Sequence, residues 1–343
     1  MRVIRPSPSA RHDFVPGTAP SGPATRVPGP RQRIGACRRA AGIPVRPARC
    51  RPYTFDRYGD AVLVASVLSL KGGVGKTTVT LGLVSAAIHR GMSTVLVDLD
   101  PQTNSTLTVD VPPGGTAAGG PGVAGVLDDP RRGVVADALR PSPWSDLLRV
   151  LPGSEDTERH NHPDPGAKKL ARLQTALEKL DPAPELVLID CPPSLGQLTR
   201  SSLWAADRAV LVTEPSLYAV TGVQRALEAV QQERTSRGHL QPLGVVVNRV
   251  RPRVSEHEFR LAELRDLFGP LILSPTLPDR TAIQQAEGAG TPIHKWPSAG
   301  AKEVAGMFDQ LLDRLLRSGR TGAARSGSGR GGSGRGGSGR GSR

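Results

Sequence analysis

From about residue 61 onward, short apolar runs alternate with longer amphipathic ones. Runs at 61–70, 94–98, 147–151, 186–190, 209–213, 244–250 and 271–274 have the length and apolar content of buried strands. Helical spacing is expected at 76–90, 167–180, 198–206, 220–233, 255–268 and 302–317. In the second of these, Leu170, Leu173, Leu177 and Leu180 make one apolar stripe. Strands that are apolar throughout need cover on both faces. The pattern therefore predicts an α/β fold: a doubly wound, mostly parallel sheet of about seven strands flanked by helices. Residues 108–146, rich in Gly, Pro and Asp, are expected to form a loop with one short helix near 122–127.

Composition divides the chain into three. Residues 1–60 are rich in Pro, Arg, Gly and Ala without periodicity, and they are expected to stay disordered, because they cannot bury enough surface to offset ordering entropy. An Arg-rich start also resembles an organellar transit peptide, but its prolines break the amphipathic helix such a peptide needs. Residues 319–343 repeat Gly-Ser-Gly-Arg-Gly units and read as a flexible basic linker or arm. The middle, 61–318, is expected to be one domain. Charge follows the same division. The net +14 comes from twelve arginines against three aspartates in 1–60 and six arginines with no acid in 319–343, which leaves the middle close to neutral.

Cys37, Cys50 and Cys191 have no metal-ligand or paired spacing, which argues for a reducing compartment. The longest apolar run, 61–70, is too short to cross a membrane, so no transmembrane segment and a cytoplasmic location are expected.

The strongest chemical signal is Lys71-Gly72-Gly73-Val74-Gly75-Lys76-Thr77-Thr78, which follows a predicted strand and opens a predicted helix. Glycines let successive N–H groups turn inward, and the helix N-terminus adds its positive end, so the segment can cradle phosphate. Lys76 is suited to the β- and γ-phosphates and the Thr77 hydroxyl to Mg2+. The usual P-loop has a glycine where this chain has Leu70, and Lys71 follows it. Two acidic strand ends accompany the loop. They are Asp98 and Asp100 in Val95-Leu96-Val97-Asp98-Leu99-Asp100-Pro101, and Asp190 in Leu188-Ile189-Asp190-Cys191-Pro192. Either alone could be a solvated strand end. In this order after Lys76 they fit phosphoryl transfer, which needs positioned charge rather than covalent chemistry.

The octet resembles the deviant Walker A motif of the ParA/MinD family of P-loop ATPases, and the likeness extends over roughly 61–317. That resemblance implies a P-loop NTPase fold, ATP and Mg2+ as cofactors, and an ATP-dependent homodimer in which Lys71 reaches the partner's nucleotide. It further implies that Asp100 orients the attacking water, Asp98 supports the metal and Asp190 holds it through water. Val245-Val246-Val247-Asn248-Arg249 is similar to the segment whose Asn binds adenine, although a strand-end turn residue is the alternative for Asn248. Hydrolysis in the family ends the dimer and is stimulated by a partner.

The branch is read from what surrounds the motifs. Pro101-Gln102-Thr103-Asn104 looks like the ParA branch, which implies non-specific DNA binding, nucleoid association when ATP-bound, and a centromere-binding ParB-like partner. The Gly/Ser/Arg tail lacks the apolar face of a MinD-type membrane helix. Relatives that carry metal clusters need several cysteine ligands, and Cys191 is the only cysteine of the middle segment. An ATPase switch that positions a membrane-associated or other protein cargo remains the alternative. DNA contacts are expected either from a folded face bearing Arg249, Arg251, Arg253, Arg280, Arg314 and Arg317 or from the basic tails.

Overall fold

A computed structural model describes residues 62–326, residue 237 excepted, with the backbone alone for 320–326. The tail predicted for 1–60, with Cys37 and Cys50, and the arm from 327 onward lie outside these residues. In chain order the elements are β1 (Leu63–Leu68), α1 (Lys76–His89), β2 (Thr94–Asp98), α2 (Asn104–Thr108), α3 (Gly122–Asp128), α4 (Arg132–Ala138), β3 (Arg140–Ser142) and β4 (Ser145–Leu151). They continue as α5 (Ala167–Leu177), β5 (Leu186–Asp190), α6 (Gln197–Ala205), β6 (Arg208–Thr213), α7 (Ala219–Ser236), β7 (Gln241–Val247), α8 (Ser255–Phe268), α9 (Thr281–Gly288) and α10 (Ala299–Ser326).

Seven strands form one sheet in the order β3-β4-β2-β5-β1-β6-β7, parallel except where β3 runs antiparallel along β4. Period-two alternation sends neighbouring side chains to opposite faces. Ala65, Leu96, Leu186 and Leu188 join a core with α1, α9 and α10. Val64, Val95, Val97, Val187 and Ile189 join a second core with α3, α5, α6 and α7. The doubly wound sheet expected from the pattern is therefore present.

Three expectations are corrected. The run at 271–274 makes only an isolated bridge between Val245 and Ile272, because the Gly269–Leu271 turn before it and Pro275 after it leave too few paired residues for a ladder. The seventh strand is β3, a three-residue edge piece containing Pro141, too short to carry a pattern. Residues 108–146 hold α3, α4 and β3 rather than a loop with one helix. At the other end, α10 runs on to Ser326, past the boundary drawn at 318. Gly319 and Gly322 each cost a helix about 1 kcal/mol relative to Ala, which is why the sequence suggests an earlier stop. The stripe Ala301, Val304, Ala305, Phe308, Leu311, Leu312 and Leu315 holds the helix on the sheet. Arg208 then ties down its later turns, with Nε 3.0 Å from the Ser318 hydroxyl and Nη2 donating to the Ser318 carbonyl.

That stripe also seats α1, the helix that carries the phosphate loop. The Phe308 ring lies over Gly82, where an added Cβ would come within 2.1 Å of the ring. Beside it, Ser85 Oγ and His294 Nδ1 are 2.7 Å apart, and Arg90 pairs with Asp309 and Asp313 of α10. Alanine favours helix over glycine by about 1 kcal/mol, but overpacking a filled core costs about 1–3 kcal/mol. Gly82→Ala is therefore expected to lower the urea midpoint of unfolding. Adding Phe308→Leu should recover part of the loss, and equal stability of Gly82→Ala and the parent protein would contradict this packing.

Candidate functional site

Strands β2, β5 and β1 lie side by side, so their C-terminal ends bring Asp98, Asp190 and the phosphate loop together in the crevice where open α/β sheets bind ligands. Asp98 and Asp190 are register partners on adjacent strands. The loop turns through Gly73 and Gly75, at φ of 80° and 87°, before α1 begins at Lys76. A Cβ on Gly75 would sit 2.2 Å from Asn248 Nδ2. Only glycine suits that position.

Asp190 is fully buried, with Thr77 Oγ1 donating to its Oδ2 at 2.8 Å and Thr80 Oγ1 to its Oδ1 at 3.3 Å. Burial pushes its carboxyl above the ordinary range, while Lys76 and the Thr77 hydroxyl pull the other way. Burial, and then the neighbouring Asp190, push the Asp98 carboxyl up to about 7. Lys76 Nζ is 3.6 Å from Asp100 Oδ2, both side chains being over nine-tenths buried. Two desolvated carboxyls side by side, each held by threonine hydroxyls, form a site that favours added positive charge. That chemistry suits a divalent cation beside a phosphate loop.

Asp98 has a further duty. Its Oδ2 accepts from the Thr106 backbone at 2.9 Å and the Thr106 hydroxyl at 2.6 Å, and its Oδ1 accepts from the Asp100 backbone at 3.2 Å. Asp98 thus fixes the 98–106 segment and with it the placement of Asp100. Asn248 lies just past β7 and donates from Nδ2 to the Val74 carbonyl at 2.9 Å, holding the phosphate loop.

The expected DNA face is not gathered from its arginines. Arg249 donates to the Gly73 carbonyl in the phosphate loop. Arg251 pairs with Asp279 at 2.7 Å, Arg280 with Glu303 at 2.9 Å, and Arg314 Nε donates to the Ser274 carbonyl at 2.7 Å. Arg253 and Arg317 are exposed. Arg317 precedes Ser318, which meets Arg208 where β6 begins, whereas Arg249 follows the far end of the parallel strand β7. They sit at opposite ends of the sheet. Sequence reasoning also missed Glu214, whose Oε1 receives the Lys71 ammonium at 2.6 Å. Its position directly after a strand, much as Asp190 ends one, was the available signal.

A family model described as "AAA domain" matches residues 62–241, more than half of the chain. The chromosome-partitioning ATPase Soj of Thermus thermophilus is 31% identical over 252 residues, which cover 71% of this chain and 93% of Soj. The chain belongs to the ParA/MinD family of P-loop ATPases. Among solved structures, a cobyrinic acid a,c-diamide synthase from Mycobacterium smegmatis with bound ADP and magnesium is 27% identical, with a TM-score of 0.62 over 76% of this chain and 97% of that one. An ATP complex of McdA from Cyanothece, at 20% identity, shares the fold, with a TM-score of 0.64 over 75% of this chain and 96% of that one.

The left-handed turn at Gly75 curls the loop so that its N–H groups can face a phosphate. A left-handed backbone costs a side-chain-bearing residue about 1–2 kcal/mol, so Gly75→Ala should weaken ATP binding by about tenfold or more in a titration with a fluorescent nucleotide. Adding Asn248→Ala removes the contact with Asn248 but not the strained φ, so the double variant should stay impaired. Tight binding by Gly75→Ala would contradict the cradle.

Proposed function

We propose that this chain is an ATP-hydrolysing switch of the ParA branch, which dimerises around ATP, binds DNA without sequence preference and serves partitioning with a stimulating partner. The observation that carries this reading is one crevice holding Lys76, Thr77, Asp100 and Asp190, with a second lysine, Lys71, at the start of its phosphate loop. The likeness to Soj, a chromosome-partitioning ATPase, supports the choice of branch.

Each residue then has a distinct task. Backbone N–H groups of 72–78 and the Lys76 ammonium receive the β- and γ-phosphates. Thr77 and Asp190 would hold a magnesium ion, which when bound would supply charge neutralisation to the phosphates. Asp100, presented by the segment that Asp98 fixes, orients the attacking water. Asp98 therefore acts on the site through Thr106 and Asp100. Asn248 holds the loop through one amide N–H, which leaves its second N–H and its Oδ1 for a contact to adenine. Lys71 extends toward the nucleotide of a second copy.

A second reading, a switch that positions a protein cargo, draws on the arginines. Arg251 and Arg280 are paired with acids within the fold and Arg249 donates to the phosphate loop, which reduces the charge that these three offer to phosphate. No helix among the described residues is long and apolar enough to cross a membrane.

Two measurements test these readings. Lys71→Ala is expected to bind ATP yet fail to dimerise in sedimentation, whereas Asp100→Ala is expected to keep an ATP dimer that turns over at least about a hundredfold slower, the lower end of what a general acid–base group contributes. Normal turnover in Asp100→Ala would remove its role. Filter binding of the whole protein to non-specific DNA, with ATP and with ADP at two salt concentrations, separates the branches. Binding that needs ATP and falls steeply with salt supports partitioning, and nucleotide-independent binding moves the assignment to cargo positioning.

A further inference from the structure

The far side of the phosphate loop from the catalytic acids carries its own ion cluster. Glu214 directly follows β6, and its Oε1 accepts from Lys71 Nζ at 2.6 Å. Lys71 Nζ also donates to Ser216 Oγ at 3.3 Å. The second Glu214 oxygen lies 4.0 Å from Arg249 Nη1, the same nitrogen that donates to the Gly73 carbonyl. One carboxylate thus faces both the lysine that opens the loop and the arginine that grips it. Neither Lys76 nor the Asp98, Asp100 and Asp190 carboxylates take part.

We infer that Glu214 is an intramolecular latch: it holds Lys71 within its own subunit and so sets the ATP concentration at which two copies close on each other. This rests on the reading that Lys71 serves a partner's nucleotide. A lysine held on its own subunit's carboxylate has to leave it to reach across. Closure therefore trades the Glu214 contact for a phosphate contact, and the carboxylate opposes the dimer by whatever its hold on Lys71 is worth. Both side chains are partly exposed, at 42% for Lys71 and 24% for Glu214, so the hold is that of a half-exposed ion pair. The latch is weak enough to open and strong enough to shift a threshold.

The experiment is an ATP titration of dimerisation by sedimentation for the parent protein, Glu214→Gln, Lys71→Ala and the double variant, with ADP affinity measured alongside. Glutamine keeps the size of Glu214 and removes only its charge. The ATP concentration at half-dimerisation is expected to fall about two- to fivefold in Glu214→Gln, the range such a pair carries. ADP affinity should stay within about twofold, and the shift should shrink as added salt screens the parent's ion pair. The double variant should behave as Lys71→Ala, with no dimer. An unchanged midpoint in Glu214→Gln while Lys71→Ala loses the dimer overturns the latch and leaves the role of Lys71 standing. An equal gain for ADP and ATP overturns the latch in favour of a general change in potential at the site. Normal dimerisation by Lys71→Ala overturns both the role of Lys71 and the latch built on it.

Discussion

Two carboxylates buried side by side at the ends of adjacent strands are the constraint around which the rest of the structure is arranged. Asp98 and Asp190 share a register position and have no solvent, so their charges are costly unless met by donors or cations. The sheet order meets that need by placing β5 between β2 and β1, which brings the start of α1 against Asp190. Thr77 and Thr80, one turn apart on α1, then donate to its two oxygens. Asp98 is satisfied separately, by Thr106 and the backbone of Asp100. The acids therefore have different environments, and the difference assigns them different work: Asp190 belongs to the loop and Asp98 to the segment that presents Asp100.

Cations are distributed by the same logic. Lys76, buried, faces Asp100 inside the crevice, whereas Lys71, half-exposed, faces Glu214 at its edge. Both lysines belong to the octet that follows β1, yet Lys71 meets an acid that follows β6 and Lys76 one that follows β2. Beyond the site, most of the arginines expected to face DNA are matched by local acids or carbonyls, as Arg251 is by Asp279 and Arg280 by Glu303.

The sequence carried the fold wherever burial was complete. The predicted runs at 94–98 and 186–190 coincide with β2 and β5, whose every residue is buried, because continuous apolar character leaves little else for those residues to do. Legibility failed at the margins. β3 is three residues long, and its place is set by pairing with β4 rather than by its own pattern. The run at 271–274 has strand-like residues but neighbours that stop a ladder from forming. At the site, the phosphate loop and the three aspartates were legible because their chemistry depends on residue type and order. The contact of Glu214 with Lys71 and the grip of Arg249 and Asn248 on the loop were not, because they depend on β6 and β7 lying on one side of β1, an order that a local window does not contain. The local partners of the arginines were hidden for a related reason: charge can be counted along a chain, but partners across the fold cannot.

Packing far from the crevice reaches it through α1. The loop can hold its left-handed turns only while the helix after it stays fixed, and α1 has little amphipathic pattern of its own, being buried along almost all its length. Its position is set by what surrounds it. On one side lies the sheet, and on the other lies α10, whose Phe308 fills the space over Gly82 while Asp309 and Asp313 hold Arg90. Because α10 is in turn tied by Arg208 to the start of β6, the strand that leads into Glu214, one chain of contacts runs from the C-terminal helix to both sides of the phosphate loop. The seating of α10 is thus connected by contacts to α1, which starts at Lys76, and to β6, which leads into the partner of Lys71. Rigid, close-packed elements transmit displacements because the core between them has no room to absorb them.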